Sequence, residues 1–169
     1  MTGNNPTDRS KLGTKRHILT DKKGIPLSIV ISPASTHDIN LVTDVVDKAV
    51  IRRIKRAIWR KRLFLQHLCL DKGYNSAKEE QELIKRGYVL HIPIKKKKKS
   101  EDKVGKEKPI EATPYRKKYS PKRWVIERTN SWHNRFRKLF TRYEKKAENY
   151  LALVQFSCCI IIYRKIILG

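Results

Sequence analysis

Between residues 63 and 94 the chain alternates in a way that few folds accommodate. Residues 63–70 (LFLQHLCL) are an apolar run of strand length, closed abruptly by Asp71-Lys72-Gly73-Tyr74. Ser76-Ala77-Lys78-Glu79 has the form of a capping box, and it opens a helix that Gly87 terminates. Residues 88–94 (YVLHIPI) are a second strand candidate, with Pro93 near its end. Strand, helix, strand in so short a span predicts a parallel crossover, because parallel neighbours need a long connection and usually use a helix. The chain is therefore read as α/β.

The segments before this unit supply the rest of a sheet. Residues 15–20 and 25–32 are two β-rich runs separated by Asp21-Lys22-Lys23-Gly24, a hairpin signal. Ile29, Val30 and Ile31 make the second run continuously apolar, as expected of a strand covered on both faces. Thr36 and Asp38 then offer N-caps for a helix carrying Leu41, Val45, Val46, Ala49 and Val50 at helical spacing. Its far end, residues 52–62, holds seven cations and no acid, which suits a helix terminus and a phosphate-facing surface alike.

Residues 122–143 (KRWVIERTNSWHNRFRKLFTRY) predict the helix around which the site is organised. At 3.6 residues per turn, Trp132, Phe136, Leu139, Phe140 and Tyr143 form one apolar stripe. Arg123, Glu127, Asn130 and Asn134 fall on another face. Ten lysines and arginines lie between Tyr115 and Arg142, against Glu127 as the single acid. An ordinary helical ion pair with Arg123 or Arg128 would explain that acid. A second carboxylate changes the weighing: Asp71 stands at the carboxyl end of an expected buried central strand, the edge of an open α/β sheet where ligands gather. A turn-starting role before Gly73 would also account for it.

Charge selects the partner class. The 169 residues carry a net charge of +24, a field that attracts polyanions, of which nucleic acid is the commonest. Arg123, Arg128, Arg135, Lys138 and Lys72 are the candidate phosphate contacts around the two acids. A phosphodiester reaction needs hard oxygens to hold Mg²⁺, and Asp71 with Glu127 would be the minimum equipment. Five lysines at 95–99 begin a stretch to about residue 118 that reads as a flexible basic insertion.

Other features are quieter. Cys69, Cys158 and Cys159 have no paired spacing, so reduced thiols in a cytoplasmic protein are expected. The leader TGNNPTDRS has no apolar core, so secretion is not expected. Residues 150–163 are the longest apolar run, shorter than the roughly 20 residues a membrane span needs, and read as a buried core helix. His67, His91 and His133 show no metal-ligand spacing and read as hydrogen-bonding residues, and the His37-Asp38 pair as part of a helix start.

These residues resemble a known family. DKGYNS at 71–76 and RWVIERTNSWHNRFRKL at 123–139 look like the second and third acidic motifs of bacterial DDE transposases of the insertion sequence 5 and insertion sequence 4 type. NPTDRSKLGTKRHILTDKKGIPLSIVISPASTHD at 5–38 is similar to the segment that follows the first acidic motif. The resemblance implies a ribonuclease-H-like mixed sheet flanked by helices and a single catalytic domain over residues 1–169. It also implies dependence on Mg²⁺ or Mn²⁺, and cleavage and transfer of DNA strands at insertion-sequence ends. Asp71 and Glu127 match the second and third catalytic, metal-binding acids.

Two departures qualify the match. The first catalytic aspartate of the group lies upstream of the 5–38 segment, on the central strand, and none of Asp8, Asp21 and Asp38 stands in its motif. The chain is thus expected to be the carboxyl-terminal part of the domain, inactive alone, marginally stable, and completed by an amino-terminal fragment. The alternative is a DNA-binding transposase remnant. In the tyrosine-arginine-glutamate-lysine signature, Arg123 and Glu127 match, while the tyrosine position falls on Ser120 beside Tyr119 and the lysine position on Asn134 beside Arg135. DNA ends and target, a nucleoid-associated location and a possible homodimer follow from the resemblance, with no membrane partner.

Overall fold

A computed structural model describes residues 2–6, 8–51, 58–59, 62–63, 66–93 and 123–168. The expected basic insertion at about 95–118 lies outside them, as do Tyr119 and Ser120. The chain is mixed α/β and divides into two compact units, one of residues 1–53 with 122–169 and the other of residues 54–121.

In the first unit β1 (Gly3–Asn4), β2 (Leu12–Thr20) and β3 (Pro26–Pro33) form an antiparallel sheet in that order. The hairpin forms where the residues at 21–24 predict it. Asp21 Oδ1 accepts from the amides of Lys23 and Ile25, both at 2.8 Å, so the side chain closes the turn. Gly24 completes it at φ +80°. Ile29, Val30 and Ile31 are all buried, as expected of a strand covered on both faces. Ile29 and Ile31 join Leu139, Tyr150, Val154 and Cys158 in the core. The other face meets α1 (Val42–Asp47), where Ser28 Oγ donates to the Val45 carbonyl at 2.5 Å.

That helix departs from its expected length. A 3-10 turn at Asp38–Leu41 precedes it, and it ends at Asp47 rather than running into the basic segment. Val50 is 86% exposed, because its amide leaves the helix to donate to the Leu27 carbonyl at 3.0 Å. Nor do Thr36 and Asp38 cap it. The N-cap of the 3-10 turn is His37, without a side-chain bond, and Asp38 is drawn instead to Lys15 Nζ at 2.9 Å.

The predicted 122–143 helix is two helices, α3 (Arg123–Asn134) and α4 (Arg137–Phe140). Phe136 takes an extended backbone between them, and that break takes Phe140 and Tyr143 off the apolar stripe, leaving both largely exposed. The face that α3 buries is Val125, Thr129 and His133. Thr129 Oγ1 donates to the Gly24 carbonyl at 2.8 Å, so the hairpin tip is seated on this helix. A Cβ on Gly24 would lie 2.9 Å from that hydroxyl in a backbone conformation side chains avoid. Gly24→Ala is expected to destabilise the first unit by about 1–3 kcal/mol, read from urea unfolding. An unchanged midpoint would contradict this docking.

The last helix is longer than the apolar run suggests. α5 (Ala147–Ile162) continues into a π-helical turn (Tyr163–Ile167), and the 21 residues from Ala147 to Ile167 are long and apolar enough to cross a membrane by length and composition. One face does act as the expected core helix: Tyr150, Val154, Ser157, Cys158 and Ile161 are buried, with Val154 0% exposed.

In the second unit β4 (Ile58–Trp59) and β5 (Arg62–Leu63) pair antiparallel, where the sequence favours the end of a basic helix. β6 (Gln66–Cys69), α2 (Ala77–Lys85) and β7 (Tyr88–His91) make the predicted parallel crossover, with Gln66 opposite Tyr88 and Cys69 opposite His91. Gly87, at φ +83°, stops α2 as expected, its amide donating to the Ile84 carbonyl at 2.7 Å. The capping box does not close, since Ser76 makes no side-chain cap bond. Nor is β6 a buried central strand: its pairing is with β7 alone among the described residues, and of its side chains only Leu68 is buried.

Candidate functional site

Asp71 follows β6 in extended conformation and caps the 3-10 turn Lys72–Tyr74. Pairing carries one residue past the strand, because the Leu70 amide donates to the His91 carbonyl at 3.1 Å. The aspartate thus stands just beyond the carboxyl end of a parallel strand. Its Oδ1 accepts from the Lys72 amide at 2.7 Å and its carbonyl from the Tyr74 amide at 3.0 Å. The turn-starting role is real, and it fixes the backbone while leaving the carboxylate exposed. Lys72 is exposed beside it.

Glu127 lies on α3 of the first unit, as its one acid. Arg123 Nε approaches Glu127 Oε1 at 3.0 Å, the i,i+4 ion pair that the spacing predicts, with the side chains 71% and 62% exposed. Such a pair is screened by water and adds little to folding. Asn134 accepts from Arg16 Nη2 at 2.8 Å. Asp71 and Glu127 belong to different compact units.

The candidate phosphate contacts differ in what already holds them. Arg128 is half-buried, donating to the Lys23 carbonyl and lying 4.6 Å from the Trp124 ring centroid and 5.1 Å from that of Trp132. It is a brace between α3 and the hairpin. Arg135 and Lys138 are exposed at the end of α3 and on α4. Trp124 is also exposed.

His133 reads from the sequence as a hydrogen-bonding residue, and the structure supplies its partners. His133, 0% exposed, meets Ser157 Oγ through Nδ1 at 2.7 Å; Ser157 donates its own hydrogen to the Val154 carbonyl at 2.7 Å, which assigns the hydrogen of the first bond to Nδ1. Cys158 Sγ lies 3.8 Å from Nε2, the acceptor in this tautomer. Burial, then the Arg16 charge, push the His133 pKa down to about 4, and burial pushes the Cys158 thiol up to about 11. A neutral thiol against a neutral imidazole is a structural pair, not a nucleophile. Thr129 and His133 at four-residue spacing from Val125 are the only sequence trace of this face. His67 Nδ1 and His91 Nε2 meet at 2.8 Å across β6 and β7, again as hydrogen-bonding residues. Among the described residues no group of three or more His, Cys, Asp or Glu side chains could hold a metal ion. Cys69 and Cys159 are exposed and Cys158 is buried.

The family model described as a transposase DDE domain matches residues 2–162 of this chain. The chain belongs to the DDE transposase family. A Burkholderia cepacia protein, whose name proposes a transposase for insertion sequence element IS402, is 32% identical over 164 residues, which are 96% of this chain and 68% of that protein. No solved structure matches it. DDE transposases act on DNA and generally use a divalent metal ion. Asp71 and Glu127 are both exposed to solvent, and carboxylate oxygens are of the hard kind that such an ion takes. A cation at Glu127 would share or replace the Arg123 contact.

Proposed function

We propose that this chain supplies the second and third acids, Asp71 and Glu127, of a transposase site that cleaves and transfers DNA strands at insertion-sequence ends. Family membership carries this reading, joined to the placement of the two acids: one just past a parallel strand, the other alone on a basic helix. The order of elements, an antiparallel hairpin, a short helix, a parallel crossover and then the Glu127 helix, supports a ribonuclease-H-like arrangement. In this proposal an amino-terminal segment provides the remaining acid, and the protein is cytoplasmic and nucleoid-associated.

The chemistry is in-line attack of a water or a terminal DNA hydroxyl on phosphorus, with departure of the opposite strand oxygen. Asp71 and Glu127 would hold the divalent ion, Mg²⁺ or Mn²⁺, which when bound activates the attacking oxygen and offsets charge on the leaving one. Arg123 would turn from Glu127 toward a phosphate, exchanging one anionic partner for another. Lys72, Arg135 and Lys138 would hold neighbouring phosphates without reading sequence. Arg128, already bound to the hairpin, would act chiefly by positioning α3.

The test is Mg²⁺-dependent cleavage of DNA bearing the element's ends, by this chain alone and with an amino-terminal fragment added. Cleavage only on mixing is expected. DNA binding without cleavage in both arms would point to a binding remnant, and cleavage by the chain alone would refute the need for a third acid from elsewhere.

A further inference from the structure

We propose that the groove between α3 and the carboxyl-terminal end of α5 binds an unpaired DNA strand. The proposal rests on the reading of this chain as DNA-acting and names the form of DNA that this surface takes.

The groove encloses about 530 Å³ and is lined by Trp132, Arg135, Phe136, Arg164 and Lys165 with isoleucine and leucine side chains. That volume is in the range of ~300–1,000 Å³ typical of ligand sites. Its chemistry is two-sided. Three of its lining residues are cations and none is an acid, which suits a polyanion. The remaining surface is aromatic and aliphatic. A DNA duplex shows a protein its phosphates and sugars along the backbone and has no base face to lay on such a floor. An unpaired strand has both, and its bases stack on aromatic rings irrespective of sequence. Charge and apolarity together therefore select single-stranded DNA.

Trp132 has the surroundings of a stacking platform. Lys165 Nζ lies 5.0 Å from its ring centroid and Arg128 Cζ 5.1 Å. A base that takes the place of the Lys165 ammonium over the ring would free that charge for the adjoining phosphate. The platform is held from beneath: His133, next in sequence, is bonded to Ser157 of α5, which ties the two walls together. Arg164 and Lys165 sit on the π-helical turn and are exposed.

The test is fluorescence anisotropy of the full chain with a labelled 12-residue oligothymidylate and with a duplex of equal length, across a salt series. Trp132→Ala is expected to weaken single-strand binding by about tenfold or more, the scale of one lost stacked base, while duplex binding changes less than about twofold. Trp132→Phe keeps a ring and should recover most of the affinity, which separates stacking from misfolding. Arg164→Gln with Lys165→Gln, both exposed, should lower the salt slope on the single strand by about 1.4, roughly 0.7 for each lost phosphate contact. Equal losses on both DNAs with Trp132→Ala, or none, would overturn the proposal. So would a change in the mass of the chain with unchanged single-strand affinity, which would make the groove a contact between copies. Wild-type protein that binds duplex alone refutes this groove and leaves the proposed function standing. Binding to neither DNA refutes both.

Discussion

Glu127→Gln is expected to lower cleavage of transposon-end DNA, in the mixture with the amino-terminal fragment, by roughly 10²- to 10⁴-fold. The substitution keeps side-chain size and removes the negative oxygen that a hard cation needs, and such ions supply several kcal/mol of transition-state stabilisation. Asp71→Asn should behave alike. Folding is not the route of this loss. Glu127 and Arg123 form an exposed ion pair, of a kind that contributes about 0–1 kcal/mol, so urea midpoints should hardly move. Mg²⁺ affinity measured calorimetrically should fall alongside cleavage. A variant that cleaves normally, or that loses activity and stability in parallel, would remove Glu127 from the proposed site. Lys138→Gln offers the contrast, weakening DNA binding across sequences with a smaller salt slope and leaving the chemical step in place.

Acid should weaken the first unit through His133. Folded, its pKa is about 4 against an ordinary 6.5, because the imidazole is buried and the Arg16 charge adds to the cost of ionising it. A new proton would go on Nε2, which faces the Cys158 sulfur, since Nδ1–H is already committed to Ser157. The unfolded chain therefore binds the proton first as pH falls. Stability from this group is complete above about pH 6.5 and is lost progressively down to about pH 4, a total of roughly 3 kcal/mol by linkage. His17 moves in the same sense, its pKa lowered mainly by burial and by Lys15 against an opposing pull from Asp38. The measurement is urea unfolding at pH 7, 5.5 and 4 for wild type and His133→Gln, which keeps polar atoms but cannot titrate. The variant should lose markedly less stability over that span. Parallel pH profiles would show that His133 is not the group responsible, since repulsion from the net charge of +24 is nearly common to both proteins.

Local chemistry made much of this molecule legible in one dimension. The turn at Asp21 to Gly24, the continuously apolar β3, the stop at Gly87 and the parallel crossover rest on preferences settled within a few residues. Asp71 beyond a strand and Glu127 as the lone acid of a basic helix could be read from order and spacing, and the family from the resemblance of the motifs that hold them.

Where elements end was a tertiary decision. Val50 left its helix for a bond to Leu27, Asp38 gave up capping for Lys15, and α3 stopped at Asn134, with Phe136 extended before the short helix that carries Leu139 into the core. Hydrophobic periodicity misjudged the inner face of α3 because Thr129 and His133 are polar, and burial suits them through partners that include Ser157 and Gly24, 24 and 105 residues away. The groove at Trp132 has the same origin. Its cations come from α3 and from a turn some thirty residues later, and no periodicity within either segment encodes their meeting. Sequence alone determined which local conformations and which chemistry this transposase chain carries. Packing decided which of those side chains are buried, paired or exposed, since a contact between distant segments is a property of the fold and of neither segment alone.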